Sequence, residues 1–485
     1  MSMDTSIVFN GIDATTGEYL VPPMQLDEIA SIARGEKPKK DILTWLATVW
    51  HKIRTPYMGL PLGVEPSDVA QAGWAIVFLK DEDPAVKAAL QPLIDHRTAQ
   101  IHNEKIVKVL EFHPDEQWEQ WLGRHLVAPG TVEPTKIPFY LLLVGDPRKI
   151  PFEFGHLLDV EYCVGRLHFD TPAEYHTYAT SVIEYETSNA IPNQREAVFF
   201  APRHAFDPAT KMSADHLVNP LADGLFASED LDKKTGVAQR WGYNTRKIWG
   251  EKATKAAFNE IIRSKNGSAP PAFLFTASHG MGFPRGHVSQ KLGQGALLCQ
   301  DWPGFGSINP DHYFSAADIP AESHVQGMVI FHFACYAGGT PERDLFFHTP
   351  GQPPPKIAEQ PFLAALPKAW LTHPAGGALA VIGHVERAWG YSIITPDAGA
   401  QIQTFENAIG RILVGQPLGY ALKDFHERYA VLSTGLSALI QKAGWGENID
   451  QATLAARWIE RNDAEGYILI GDPAVALRID DLMMG

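Results

Sequence analysis

Residues 329–340 read VIFHFACYAGGT, an apolar run that ends on Cys335 and breaks into Gly338 and Gly339. Residues 273–282, FLFTASHGMG, have the same shape and end on His279 and Gly280. A cysteine in an apolar strand is ordinarily a small core residue, and His-Gly after a strand is ordinarily a turn. Two such strand ends, one offering a thiol and the other an imidazole, suggest more. A thiol beside a base is held as a thiolate or deprotonated on demand, which makes it a nucleophile for acyl transfer. Gly280 lets backbone come close, and its N–H, with that of Cys335, is placed to meet a developing oxyanion. Ser278 and Ala334, the small residues before the pair, leave room for packing at the strand ends. His332 lies on the Cys335 strand with its side chain on the opposite face, so we read it as a buried, hydrogen-bonded histidine. Cys163 and Cys299 have no comparable setting and read as structural.

The elements that must position this pair follow a strand–helix alternation. GWAIVFL (73–79), KIVKVLEF (105–112) and FYLLLVGDP (139–147) are strand candidates, separated by helices over 83–97 and 114–125. A long helix from residue 172 then runs into the polar break NAIPNQRE, where we place a boundary near residue 193. Beyond it come AVFFAP (197–202), a helix around 213–228, TRKIWG (245–250) and a helix over 251–264. AFLFTASHG, MVIFHFACYAGG, GGALAVIGHV (376–385) and, after three amphipathic helices, GYILIGDPAVALR (466–478) complete the series. This alternation predicts mostly parallel sheets covered on both faces. The expected organisation is an arm or cap over 1–60, a first α/β subdomain over 61–192, and a second over 193–485 that carries the pair. Ligands of open parallel sheets bind beyond the carboxyl ends of the strands, so His279 and Cys335 should face one crevice. VGDP (144–147) and IGDP (470–473) echo each other as strand-ending turns.

Composition narrows the function. The 485 residues are 45% hydrophobic and 20% charged, ordinary for a globular protein of more than one core. The net charge of −15 argues against a nucleic-acid partner, and no apolar stretch is long enough to span a membrane. Three cysteines form neither a disulfide framework nor a CxxC motif. With no basic-then-apolar segment at MSMDTSIVFNGID, the expected location is cytoplasmic and reducing.

The ensemble resembles the caspase-like cysteine peptidases, and within them the gingipain branch. The similarity lies in LLLVGDPRKIPFEF, in VGRLHFDTPAEYHTYATSVIEYET, in the TASHG and FACYAGG pair, and in LAVIGHVERAWGYS. It spans about residues 65 to 475 in order. The resemblance implies a caspase-like α/β/α sandwich of two adjacent subdomains and an endopeptidase acting on protein or peptide substrates. Cys335 is then the nucleophile, His279 the general acid/base, and Trp389 a wall of the S1 pocket. Arginine-directed gingipains carry an acid at the S1 floor; the matching stretch KMSADHL (211–217) puts Ala214 there, with Asp215 one place along. Ser213, Asp215 and His216 are the floor candidates. Asp215 there would favour a basic P1 residue, and Ala214 a neutral one. The resemblance also implies a structural calcium, though no DxDxD loop marks a site and the residues themselves call for no cofactor. An activating partner protein and a role in a regulated or defence pathway follow from the same likeness. The contrasting readings are a non-catalytic interaction module on the same fold and a metal-dependent hydrolase, for which no HExxH spacing exists. PERDLFFHTPGQPPPK (341–356) reads as an uncleaved, solvated connection.

Overall fold

The computed structural model describes residue 7 and residues 10–35, 59–224, 235–263, 269–346, 352–390, 393–395 and 399–484. Helix α1 (Leu26–Gly35) stands apart from the main alternation. The sheet strands are β1 (Trp74–Leu79), β2 (Val107–Phe112), β3 (Tyr140–Val144), β4 (Cys163–Leu167) and β5 (Gln194–Ala201). They continue with β6 (Asn244–Trp249), β7 (Pro271–Ala277), β8 (Val329–Phe333), β9 (Ala380–His384) and β10 (Tyr467–Gly471). The continuous apolar strands β1, β3, β7, β8 and β9 are buried along their whole length, as expected where helices cover both faces of a sheet. The expected helices over 83–97 and from 172 appear as α2 (Pro84–Ile101) and α4 (Pro172–Thr187), with the short α3 (Trp118–Arg124) between them. Asp83 caps α2 ahead of a proline at its first turn, and Thr171 and Glu174 close a capping box on α4.

All ten strands join one sheet in the order β2-β1-β3-β4-β10-β9-β8-β7-β5-β6. Each neighbouring pair is parallel except β9 with β10. The two α/β units therefore stand edge to edge and point in opposite directions, with the last strand of the chain set between them. β10 belongs in direction to the first unit, although it arrives from the second. Its Asp472 accepts from Trp74 Nε1 (2.9 Å) and Arg97 Nε (2.8 Å), and Arg97 also holds Glu186. The IGDP turn is thus an anchor across the units. Its counterpart in VGDP, Asp146, is buried and is instead bound to the exposed Arg148 beside it.

The second helical layer departs most from expectation. In place of one helix over 213–228, α5 (Pro208–Ser213) runs into a π-helical turn (Ala214–Val218) and a short helix (Asn219–Asp223); residues 225–234 lie outside the described residues. Near the C-terminus α6 (Gln403–Leu413), α7 (Lys423–Gly444) and α8 (Gln451–Glu465) supply the three amphipathic helices. Helix α1 packs on α8, and Ile29, Ile32, Leu454, Trp458 and Trp389 share a small separate core there. The loop over 341–356 is closed at its base by the Arg343–Lys356 bridge and the Glu342–Lys356 ion pair, and its tip, 347–351, lies outside the described residues.

Candidate active site

β7 and β8 are adjacent and parallel, with Ala277 opposite Phe333 in register. His279 and Cys335 each lie two residues beyond that pair, so the register carries them to neighbouring positions at the same sheet edge. Ser278 N–H donates to the Phe333 carbonyl at 3.1 Å and extends the ladder past the strand ends. A Cβ on Gly280 would lie 1.8 Å from the Cys335 carbonyl oxygen. The close approach that requires glycine is therefore to the cysteine's own backbone, rather than to a substrate. Directly after the cysteine, Tyr336 takes a left-handed φ of 60°, and its N–H donates to the Glu386 carbonyl at 2.6 Å. The chain turns there and leaves the thiol at the strand end.

His279 is fixed from both ring nitrogens. Nε2 faces Asp207 Oδ2 at 2.9 Å, both side chains being fully buried, and Nδ1 accepts the Gly11 N–H at 2.6 Å. An acceptor at Nδ1 puts the ring proton on Nε2, where it donates to the carboxylate. Asp207 is held as an anion: burial opposes it, but His279, Thr210 and Tyr19 keep its carboxyl well below the usual range. The same carboxylate caps α5 through the Ala209 and Thr210 N–H groups. Sequence reasoning nominated no acidic third member. Asp207-Pro208 looks like a helix start, which it is, and 72 residues separate it from His279. Only the topology β5–α5, beside β7, brings it in.

Cys335 is fully buried. Ala388 N–H donates to its Sγ at 3.3 Å, and Arg387 sits close enough to favour the thiolate. Burial outweighs both and pushes the thiol up to about 12. In this covered state the sulfur is protonated and donates to the Asn10 carbonyl. Beneath it, Arg387 binds Asp344 through both terminal nitrogens (2.8 Å each) and Glu386 (2.8 Å). Cys163 and Cys299 are also free and buried, with no imidazole partner among the described residues, and burial raises both thiols. His332 accepts or donates with Thr276 Oγ1 at 2.8 Å and is held neutral by burial, which is the core role expected of it.

The pocket residues are distributed differently from the expectation. Trp389 is buried, stacked on Phe346 with ring centroids 4.4 Å apart, and covered by Val21, Ile29 and Ile32 of the N-terminal segment. Asp215 gives its carboxylate to Arg203 in a two-pronged pair (2.8 and 2.9 Å), and Ser213 Oγ turns back to the Thr210 carbonyl. Neither is joined to Trp389 among the described contacts, although Met212 lies against Gly390 next to it. The carboxylate is already paired with a guanidinium, so a basic P1 side chain would have to compete with Arg203 for Asp215.

No group of three or more His, Cys, Asp or Glu side chains suited to a metal occurs among the described residues, and no described helix is long and apolar enough to cross a membrane.

A model of peptidase family C25 matches residues 75–478. Among solved structures, the Arg-specific cysteine proteinase gingipain R is similar over 84% of this chain and 79% of its own, at 12% identity and a TM-score of 0.42. The complex of the pro- and mature domains of the Porphyromonas gingivalis enzyme matches at 13% identity, 84% and 80% coverage and a TM-score of 0.45. The Saccharomyces cerevisiae separase–securin complex covers 92% of this chain but 24% of its own, at 10% identity and a TM-score of 0.28. None of the curated proteins matches the chain.

Proposed function

The chain belongs to peptidase family C25 and is a cysteine endopeptidase, and from that premise we propose that Cys335 is its nucleophile, His279 its acid/base and Asp207 the residue that orients the imidazole. The observation that carries this is the placement of His279: Nε2–H on a buried carboxylate, and Nδ1 with its lone pair turned toward an amide nitrogen beside the Cys335 thiol. Cys335 passes its proton to His279 Nδ1 and its sulfur attacks the scissile carbonyl carbon. The C–N bond breaks as Nδ1–H protonates the leaving amine. Water, deprotonated by the same nitrogen, then releases the acyl group from sulfur. The Asp207 carboxylate stabilises the imidazolium formed between these steps, as the acidic member does in other triads. The backbone N–H groups of Gly280 and Cys335 are the proposed oxyanion donors.

The substrate is a protein or peptide, and Trp389 is proposed as a wall of the substrate pocket once the segment over it is displaced. Three free cysteines, one of them the nucleophile, fit action in a reducing compartment such as the cytoplasm. Control by a partner protein fits a site whose thiol is covered. Profiling cleavage of a mixed peptide library tests the catalytic reading. Cys335→Ala and His279→Ala should lose the cleavages made by the wild type; unchanged cleavage in Cys335→Ala would remove the assignment.

A further inference from the structure

The crevice is filled by the chain's own N-terminal segment. Asn10 is buried, and its carbonyl takes the Cys335 Sγ–H. The next atom along the backbone, the Gly11 nitrogen, is the one that donates to His279 Nδ1. A single peptide bond, Asn10–Gly11, therefore lies with its carbonyl on the thiol and its nitrogen on the imidazole. Downstream, Ile12 N–H donates to the Gly280 carbonyl (3.2 Å) and Ala14 N–H to that of Gly282 (2.7 Å). The two-residue strand Ile12–Asp13 thus runs parallel to Met281–Gly282. Tyr19 closes over the imidazole, with its hydroxyl on Asp207 and its ring edge-on to His279 at 5.8 Å.

We propose that Asn10–Gly11 is a self-processing site, and that the protease accepts asparagine before and glycine after the bond it cuts. This rests on the catalytic reading of Cys335 and His279. The residue types follow from the contacts. Asn10 Nδ2 donates to the Ser278 carbonyl at 3.0 Å, so the group that receives this side chain is a neutral backbone acceptor, suited to a carboxamide. Gly11 has φ of 122°, and a Cβ there would lie 2.8 Å from Leu20 Cδ1 and 3.1 Å from Cys335 Sγ. Any larger residue would both strain the backbone and press on the nucleophile. In the cut, the Cys335 proton moves to His279 Nδ1, a bond forms from sulfur to the Asn10 carbonyl carbon, and the bond to Gly11 breaks. Gly11 leaves as an amine with the proton from Nδ1, and water then frees residues 1–10 as a carboxylate.

The test incubates the purified full-length chain and follows its intact mass and its new N-terminus. A product starting at Gly11 should accumulate with a first-order rate independent of protein concentration, and Cys335→Ala should stay full length. Asn10→Gln should slow the cut by about tenfold or more, since a site built on a positioned hydrogen bond discriminates strongly, and Gly11→Ala should block it. The same preparations are assayed on added peptides. A wild-type chain that stays whole while cutting peptides through Cys335 overturns self-processing and leaves the catalytic reading standing. Equal scission in Cys335→Ala marks it as spontaneous and overturns the proposal too. If wild type and Cys335→Ala are equally inert in both assays, the catalytic reading falls with it.

Discussion

In the proposed mechanism the chemistry turns on His279, whose two nitrogens have opposite partners: a fixed anion on Nε2 and the Gly11 amide on Nδ1. Replacing it should lower turnover by roughly 10² or more while the fold is kept, through loss of proton transfer. Asp207→Asn should also be costly, by roughly 10² to 10⁴, because an amide can present its N–H to Nε2 and favour the wrong tautomer. Its signature would be a changed pH–rate profile with KM little altered, which loss of the α5 cap alone would not produce. His332→Ala should behave oppositely: thiol reactivity is retained and stability falls by about 2 to 5 kcal/mol, the range for large-to-small core changes. Thermal unfolding alongside alkylation kinetics separates the two phenotypes. Cys335 and His279 were legible in the sequence because strand, small residue, reactive residue and glycine are contiguous in each motif. Asp207 was not, because its local role as a helix cap hides its long-range one. The pairing of Asp215 with Arg203 was hidden for a similar reason, since nothing near Asp215 in sequence announces an ion-pair partner from the preceding loop.

At the scale of elements, most sheet strands could be located from their apolar runs, because a strand buried on both faces needs one, but β4 was not among them and the runs read for β8, β9 and β10 overshoot one end by four to seven residues. The N-terminal segment could not be located in this way. It holds the crevice through backbone groups of Asn10, Gly11, Ile12 and Ala14, which leave no side-chain period to detect. What tethers it is side-chain burial further on: Ile29, 1% exposed, is packed with Trp389 and Trp458. Ile29→Ala removes apolar contact from that small core, at a cost of about 2 to 5 kcal/mol, and should weaken the docking of the segment before it affects the sheet. The expected outcome is alkylation of Cys335 at least about tenfold faster than in wild type, with thermal unfolding of the main domain little changed. An unchanged alkylation rate would mean that α1 does not govern access to the thiol.

At the scale of the molecule, β1–β4 lie on one side of the single sheet and β5–β9 on the other, with β10 between them. The direction of a strand and its sheet neighbours are long-range properties that periodicity does not contain. Because Asp472 links β10 to Arg97 and Trp74 of the first unit, Asp472→Ala leaves a fully buried guanidinium short of a partner. It should destabilise the whole chain by about 3 to 5 kcal/mol, read as a lower denaturation midpoint at unchanged slope. Acid should act through buried histidines. Burial lowers His156 and His332 to about 3 from the ordinary histidine value of 6.5. The unfolded chain then binds protons that the folded one refuses, so their contribution is complete above about 6.5 and is lost as pH falls toward about 3. Asp159, raised to about 8 by burial, works in the opposite sense. The decisive comparison is therefore differential: Tm should fall less steeply with acid in His332→Ala than in wild type.

The central claim, that one thiol of three does the chemistry, is tested most directly by limited iodoacetamide labelling read by mass spectrometry alongside peptide hydrolysis. All three cysteines are buried in the covered state, and in the proposed mechanism it is Cys335 whose proton an imidazole, that of His279, takes once the crevice opens. Loss of hydrolysis should track alkylation of Cys335 one for one, with Cys163 and Cys299 unmodified. Full hydrolysis with Cys335 alkylated, or loss of hydrolysis tracking another cysteine, would contradict the account.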